Sequence, residues 1–195
     1  MTASLSVTES VSLDGVMQGL GRLDEDTRGG FDRGGWGDGY QDDVSFRFMS
    51  EGMSQGGVML FGHRTYRDVL GHWTAVDEPN PFTDHLVAAS KYVVSRSPAT
   101  TLAFPSSTLL AGDAVETVGR LKQEVDGAIS IIGSGELVRA LHAAGLVDEY
   151  TLQIHPIVLG AGTRLFGEGD RSDLRLERSV ATTTGVIIAQ YSVRR

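Results

Sequence analysis

The sequence predicts a mixed three-layer α/β domain that ends in antiparallel strands. Residues 58–61 and 128–132 are apolar runs short enough to be fully buried strands. Residues 113–125 place Val115, Val118 and Leu121 on one face of a predicted helix. From residue 174 onward, apolar and polar residues alternate around a turn at 182–185, which is typical of a closing β-hairpin.

The remaining elements follow from the same patterns along the chain. Strands are predicted at residues 5–11, 91–95, 107–111 and 147–159, the last interrupted by Pro156. Helices are predicted at residues 43–54, after residue 62 to about residue 70, at 82–90 and at 136–145. Glycines at positions 56, 57 and 145 are expected to end the helices before them. Neither an internal repeat nor a linker divides the sequence, so one domain spanning residues 1–195 is expected.

Residues 12–41 are too long for an ordinary connection between two elements. Nine of the 25 glycines of the chain lie in this segment. Glycine permits tight turns and a close approach of the backbone to a ligand. The segment is therefore predicted to be either a functional flap or a disordered insert.

Composition excludes several classes of protein. The 195 residues include no cysteine, which excludes disulfides, thiolate metal sites and a cysteine nucleophile. The net charge of −8 argues against a nucleic-acid backbone as partner. The N-terminus shows neither a targeting segment nor a membrane span, so a cytoplasmic location with no membrane partner is expected.

Three predicted strands end in small or basic residues that open the next element. They are followed by Gly62-His63-Arg64-Thr65, by Arg96-Ser97 after Ser95, and by Gly133-Ser134-Gly135. Ligand phosphates bind at such strand ends, where helix N-termini offer free N–H groups. Each site taken alone has a simpler interpretation as a tight turn, a helix cap or surface arginines. The glycine turn is not a Rossmann fingerprint, because Val138 stands where the third glycine belongs.

Acid–base groups are harder to identify. The five histidines show no ligand-like spacing, and no nucleophile motif is present, so no metal site is expected. Asp14, Asp42 and Asp43 are the carboxylate candidates. Asp42 and Asp43 directly precede or open a predicted helix, where a capping role is the alternative to proton donation.

These pieces, in this order, resemble the dihydrofolate-reductase-like superfamily. The closest similarity is to the reductase domain at the C-terminus of bifunctional riboflavin-biosynthesis deaminase-reductases and its stand-alone relatives. The resemblance covers nearly the whole chain, and the segments that carry it are residues 12–15, 60–66, 93–96, 131–137 and 155–162. It implies a three-layer fold with a mixed, mostly parallel central sheet flanked by helices, ending in an antiparallel hairpin.

The resemblance also implies a cofactor site for NADPH. The turns after the second and fifth strands would hold the pyrophosphate. Basic and hydroxyl residues would hold the 2′-phosphate, and the start of the glycine-rich flap would contact the nicotinamide end. The residues so assigned are Asp14, Gly15, Val16, Met17, Gly62, His63, Arg64, Thr65, Ser95, Arg96, Ser97, Gly133, Ser134, Gly135, Glu136 and Leu137. Arg64, Ser95, Arg96 and Ser97 are the candidates for the 2′-phosphate.

The sequence therefore predicts an NADPH-dependent oxidoreductase that delivers hydride to a C=N or carbonyl carbon. The resemblance implies a pterin-like or ribosylated aminopyrimidine-like small molecule as substrate, with Asp42 or Asp43 as catalytic acid. The alternative is a non-catalytic NADPH-binding or sensor protein on the same fold. A homodimer is expected from the riboflavin-type relatives, with apolar segment 147–159 as the covered surface. The alternative, equally favoured by the sequence, is that this segment is a central strand already buried by flanking helices.

Overall fold

The computed structural model describes residues 2–53, 57–76 and 80–194. The strands are β1 (Ser4–Ser12), β2 (Val58–Gly62), β3 (Lys91–Ser95), β4 (Ser107–Ala111), β5 (Ala128–Ile132), β6 (Glu149–His155), β7 (Leu174–Ala181) and β8 (Ile187–Val193). The α-helices are α1 (Asp43–Met53), α2 (His63–Trp73), α3 (Pro81–Ala88), α4 (Ala114–Glu124) and α5 (Gly135–Ala143). A single 3₁₀ turn, Arg28–Gly30, lies within the glycine-rich segment.

The eight strands form one sheet in the order β4-β3-β2-β5-β1-β6-β8-β7. Strands β4, β3, β2 and β5 pair in parallel, whereas β6, β8 and β7 pair antiparallel. The predicted fold class is confirmed: the sheet is mixed and ends in an antiparallel hairpin. Because β6 lies inside this order, the central-strand interpretation of segment 147–159 is the correct one, and the sheet ends at β7 instead.

The chain divides into two compact units. Unit 1 comprises the residues up to Val7 and Gly52–Asp148, and unit 2 comprises Thr8–Glu51 and Glu149–Arg195. The strand β1 contributes its first half to unit 1 and its second half to unit 2. The expectation of a single domain over residues 1–195 stays a prediction.

A compact apolar cluster fills one side of the sheet in unit 1. Met59, Phe61 and Val93 from the strands pack against Tyr66, Leu70 and Leu86 from α2 and α3. The buried Tyr66 hydroxyl interacts with the backbone of Phe104 and with Ser107. Removing a side chain of this size from such a cluster typically costs about 2–5 kcal/mol.

Two buried lysines satisfy carbonyl groups at helix and strand ends in unit 1. The Lys91 ammonium donates to the carbonyls of Leu86, Val87 and Ala89, which closes the C-terminus of α3. The Lys122 ammonium donates to Leu146 O at 2.7 Å and pairs with Asp148 at 2.5 Å. The same Asp148 carboxylate accepts the N–H of Leu5. One ion pair therefore connects β1 and α4 to the residue that precedes β6.

The glycine-rich segment is an ordered part of unit 2, so the disordered-insert alternative is wrong. Val16, Phe31 and Trp36 form a buried cluster with Leu159. The Trp36 indole donates to Gln18 O at 2.7 Å. Gln18 in turn uses both ends of its amide, accepting from Thr163 and donating to Asp26 and to Arg28 O.

The predicted element boundaries differ from the observed ones for local chemical reasons. The strand β6 ends at His155 because Pro156 has no N–H to continue the ladder. The helix α3 begins at Pro81, one residue early, because the Asn80 side chain caps the N–H of Phe82. The helix α2 runs three residues beyond Leu70, to Trp73. Gly56, expected to help end the first helix, lies outside the described residues.

Within the described part of the chain, no helix is long and apolar enough to cross a bilayer.

Gly162 should be essential for the packing of the flap. Its φ of +104° is a left-handed conformation, and a Cβ there would lie 2.7 Å from the Phe31 ring and 2.8 Å from Val16. We expect Gly162→Ala to lower the free energy of unfolding by about 2–4 kcal/mol, since backbone strain and overpacking add. Urea unfolding measures this loss. Gly169→Ala is the control, because Gly169 also has positive φ but a Cβ there meets nothing within 4 Å. Equal losses in both variants would show that contact with the flap is unimportant.

Candidate active site

Three strand ends of unit 1 lie at one edge of the sheet. The strand β2 pairs in parallel with β3 on one side and with β5 on the other. In this register Gly62 lies level with Val94, and Leu60 lies level with Ile131. Parallel strands present their carboxyl ends at the same edge, so the turns that follow β2, β3 and β5 are neighbours there. All three strand-end motifs expected from the sequence are therefore brought together.

The turns after β2 and β5 touch each other directly. The N–H of Gly62 donates to the Ser134 hydroxyl at 3.0 Å. A Cβ on Gly133 would lie 3.3 Å from the Thr65 methyl group. Gly133 and Ser134 both have left-handed φ angles, +61° and +64°. A non-glycine residue held in this strained conformation is a feature that often marks a functional turn.

The helices α2 and α5 start side by side at these turns. Their N-cap residues, Gly62 and Ser134, make no side-chain capping bond within the described structure. No side chain of these two residues therefore caps either helix, and both helix dipoles place positive charge at this point. Of the residues assigned to this turn, Glu136 is exposed and Leu137 is buried in the core. The arrangement is suited to an anion larger than one phosphate.

The turn after β3 carries hydroxyl groups and one exposed arginine. The hydroxyls of Ser95 and Thr100 lie 2.7 Å apart, and Ser95 and Ser97 also accept backbone N–H groups within the turn. Arg96 projects from this turn and is exposed. Arg64, the second residue of α2, is also exposed, next to the half-buried His63. Neither arginine forms an ion pair with any described residue, so both are available to an anion.

The four flap residues expected at the nicotinamide end form a fixed segment of unit 2. The Asp14 carboxylate accepts the Ser12 hydroxyl at 2.7 Å and the N–H groups of Leu159 and Gly160 at 3.0 and 2.8 Å. These hydrogen bonds, led by that from Leu159, lower the pKa of Asp14 to about 2. Asp14 is thus an anion that organises two loops.

The neighbours of Asp14 are held by backbone pairing. Val16 pairs with Arg164 in an isolated bridge, and Met17 N donates to Thr163 O at 2.9 Å. Gly15 has a φ of +82°. The Val16 side chain is completely buried, so only Gly15 and the half-buried Met17 present surface.

Asp42 caps the first helix. Its carboxylate accepts the N–H of Ser45 at 2.8 Å, and its other oxygen accepts the N–H and hydroxyl of Thr183 at 2.6 and 2.7 Å. These bonds, led by that from Ser45, lower the pKa of Asp42 to about 2. This geometry matches the capping alternative. Asp43, in the first turn, is exposed. Proton donation by Asp42 or Asp43 stays a prediction.

Glu9 is a titratable group that the sequence analysis did not single out. It lies on β1, is 8 % exposed, and its Oε2 atom has no hydrogen-bond partner among the described residues. Burial raises the pKa of Glu9 to about 8, with a further contribution from Glu25. The only sequence signal was a charged residue in an alternating strand.

His155 also lies buried in unit 2. Its ring contacts those of Trp36 and Tyr40 edge-on, at centroid distances of 5.1 and 5.3 Å. Burial lowers the pKa of His155, so the ring is neutral at pH 7. No group of three or more acidic or histidine side chains is placed to hold a metal ion within residues 2–53, 57–76 and 80–194.

Comparisons with known proteins agree with this architecture. The family model described as RibD C-terminal domain matches residues 3–188. A curated relative, the uncharacterized protein YyaP of Bacillus subtilis (strain 168), is 29 % identical over 146 residues, covering 71 % of this chain and 75 % of that protein.

Solved structures show the same fold. A putative riboflavin biosynthesis protein from Shewanella sp. PV-4 superposes with a TM-score of 0.64 at 21 % identity, covering 98 % of this chain and 99 % of that one. Dihydrofolate reductase from Enterococcus faecalis, solved in complex with NADP(H), superposes with a TM-score of 0.62 at 14 % identity and covers all of both chains.

Glu9 should make the protein less stable as the pH rises. With a folded pKa near 8 and an ordinary value of 4.5, the native state keeps a proton that the unfolded chain has lost. Its stability contribution is therefore complete below pH 4.5 and lost progressively up to pH 8, by on the order of 5 kcal/mol. We expect Glu9→Gln to flatten the dependence of unfolding free energy on pH, measured by urea unfolding between pH 5 and 9.

The control for this prediction is Glu149→Gln, the same chemical change at an exposed position at the start of β6. It should leave the slope of stability against pH as in the unmodified protein. A Glu9→Gln variant whose slope also stays unchanged would mean that Glu9 is ionised in the folded protein.

Proposed function

Because the chain belongs to the RibD C-terminal domain family, we propose that it is an NADPH-dependent reductase. It would transfer hydride to a C=N or carbonyl carbon of a pterin-like or ribosylated aminopyrimidine-like small molecule. The observation that carries the proposal is the strand-end edge of unit 1. There, two uncapped helix N-termini meet beside two arginines that pair with no described residue.

The two helix N-termini fit the pyrophosphate. Two adjoining phosphates need more than one set of N–H donors, and α2 and α5 begin at turns joined by the Gly62–Ser134 hydrogen bond. Gly62 and Gly133 keep side chains out of the space over these turns. The Ser134 hydroxyl, besides fixing the turn, is positioned to act as a neutral donor.

The arginines fit the 2′-phosphate that distinguishes NADPH from NADH. A carboxylate after the relevant strand would accept the ribose 2′-hydroxyl and repel a phosphate. The turn after β3 instead has Ser95-Arg96-Ser97, and Arg64 is the second residue of α2. Arginine and hydroxyl groups bind phosphate through charge-assisted hydrogen bonds. The site should therefore prefer NADPH.

The bound cofactor would supply the hydride, while the protein orients the reactants and excludes water. The segment Asp14–Met17, assigned by the resemblance to the nicotinamide end, is suited to positioning because hydrogen bonds of Asp14 and Gln18 hold its loop. A segment held this firmly favours a preformed surface over a mobile lid.

The alternative, a binding or sensor protein without turnover, is favoured by one observation. Both oxygens of Asp42 accept hydrogen bonds, and its pKa near 2 leaves it ionised at neutral pH. Loss of NADPH absorbance with oxidised pterins or aminopyrimidines separates the two functions. Turnover supports the reductase, and tight binding without turnover across this panel supports the sensor.

We expect Arg96→Ala to weaken NADPH at least tenfold and NADH less than twofold. The phosphate would lose one charge-assisted hydrogen bond, which is worth about 1.5–3 kcal/mol. Tryptophan fluorescence quenching during cofactor titration gives both dissociation constants. The control is Arg120→Ala, an exposed arginine within α4. Equal losses for the two cofactors in Arg96→Ala would make Arg96 an ordinary surface residue.

The proposal includes a homodimer in the cytoplasm. Unit 2 exposes large apolar side chains at Leu13, Leu176 and Ile187, with 47–65 % of each accessible, and such surface is often covered by a second copy. Light scattering at micromolar concentration should give about twice the 20.9 kDa of one chain. A mass near 20.9 kDa would refute the dimer.

A further inference from the structure

In the described part of unit 2, a helix covers only one face of the strands β6 and β8. The antiparallel register places Ile154 of β6 opposite Ile187 of β8, and directly opposed residues point to the same face. Leu152, two residues away on β6, shares this face. Ile188 points to the other face, where it belongs to a buried cluster with Phe48 of α1. Because α1 is the only α-helix of unit 2 among the described residues, the face of Leu152 and Ile154 has no helix of this unit over it.

An open pocket of about 180 Å³ lies on this second face. Leu152 and Ile154 form its sheet wall, which the buried Val11 of β1 extends. Leu165 and Phe166, from the segment that precedes β7, form the facing wall. A cavity of about 150 Å³ lined by side chains of these kinds holds one benzene molecule. The pocket is therefore large enough for a single six-membered ring.

The polar groups in the lining of the pocket are already engaged. Ser12 and Gly15 are the lining residues that carry them. The Ser12 hydroxyl donates to Asp14 at 2.7 Å and accepts the N–H of Val16 at 2.9 Å. The Gly15 N–H donates to Ser12 O at 2.9 Å, and Gly15 O accepts the N–H of Leu165 at 3.0 Å. A ligand therefore needs no polar group to satisfy this wall.

The lining selects against charge and favours an aromatic group. All eight described residues that line the pocket are apolar, glycine or serine. An ionised group would lose its hydration there without gaining a counter-charge from the lining. The Phe166 ring is held edge-on to Tyr150, with the ring centroids 5.5 Å apart, and aromatic rings attract one another in such offset and edge-on arrangements.

We propose that this pocket binds the uncharged aromatic ring of a small ligand. Because Leu13 both lines the pocket and is exposed, the ring can enter from solvent. The inference goes beyond the proposed function and does not rest on it. The helix N-termini proposed for the cofactor phosphates belong to unit 1, whereas every lining residue belongs to unit 2. Gly15 is the one lining residue that the resemblance also assigns to the cofactor, and its neighbour Val16 is buried in a separate cluster with Phe31 and Trp36.

Three probes that share one ring test the selection by charge. Toluene is neutral, benzoate is an anion and benzylammonium is a cation. With the ¹⁵N-labelled full-length protein, we expect toluene to shift the backbone amides of Val11, Leu152 and Phe166 saturably. Benzoate and benzylammonium should bind more weakly by roughly tenfold or more. Equal binding of all three probes, no saturable binding of toluene, or shifts confined to other residues would overturn the inference.

Two variants and a matched control test the position of the ring. Ile154→Phe fills the pocket from its sheet wall and should weaken toluene by roughly tenfold or more. Ile187→Phe is the control, because Ile187 lies opposite Ile154, is 47 % exposed and does not line the pocket. It should bind toluene as the unmodified protein does. If Ile154→Phe does not fold, Phe166→Ala keeps the test open, since it removes the aromatic wall and should weaken toluene about fivefold. An unchanged affinity in Ile154→Phe or Phe166→Ala, or equal losses in Ile154→Phe and its control, would contradict the assignment.

Two further measurements distinguish this pocket from the cofactor site and from a dimer contact. NADPH should bind with unchanged affinity when toluene is saturating, and competition between them would overturn the inference of a separate site. Light scattering should give the same mass with and without toluene. A change from two chains to one would assign the pocket to a side chain of the second copy, and the inference would fail. If toluene binds and NADPH does not, the proposed function fails while the pocket stands.

Discussion

Parallel pairing of β2 with β3 and β5 is the constraint on which the candidate cofactor site depends. It places the carboxyl ends of three strands at one edge of the sheet, and the segments that follow must then begin at that edge. Gly62 and Gly133 let the two turns approach until the Gly62 N–H reaches Ser134. The positive ends of the α2 and α5 dipoles meet at this edge as a consequence, and neither N-cap residue makes a side-chain capping bond within the described structure.

Carboxylates in unit 2 divide into two kinds by environment. Asp14 and Asp42 accept backbone N–H and hydroxyl donors, which stabilise the charged form and tie distant loops together. Glu9 lies in a buried strand position with one oxygen unpaired, which favours its neutral form. The carboxyl group is therefore ionised at Asp14 and Asp42 in the loops, whereas Glu9 in the sheet keeps its proton at neutral pH.

The two units offer different chemistry to ligands. Unit 1 presents helix dipoles and exposed arginines, which suit a multiply charged anion such as a dinucleotide phosphate. Unit 2 instead holds the fixed carboxylates of Asp14 and Asp42 and the buried carboxyl of Glu9, whose pKa is raised to about 8. The glycine-rich flap is ordered in unit 2, where Gln18 connects it to Thr163 by a hydrogen bond and Gly162 leaves room for Phe31 and Val16.

By itself the sequence determined the order of elements, the mixed α/β class and the strand-end motifs at Gly62, Ser95 and Gly133. These are local properties, since hydrophobic period, glycine turns and caps act over a few residues. Tertiary structure decided the rest. Only folding shows that Asp14 and Asp42 accept hydrogen bonds from residues more than 140 positions away, and that β6 is internal. It also shows that Oε2 of the buried Glu9 has no partner among the described residues. Burial and hydrogen-bond satisfaction depend on which segments meet, and no local pattern encodes that.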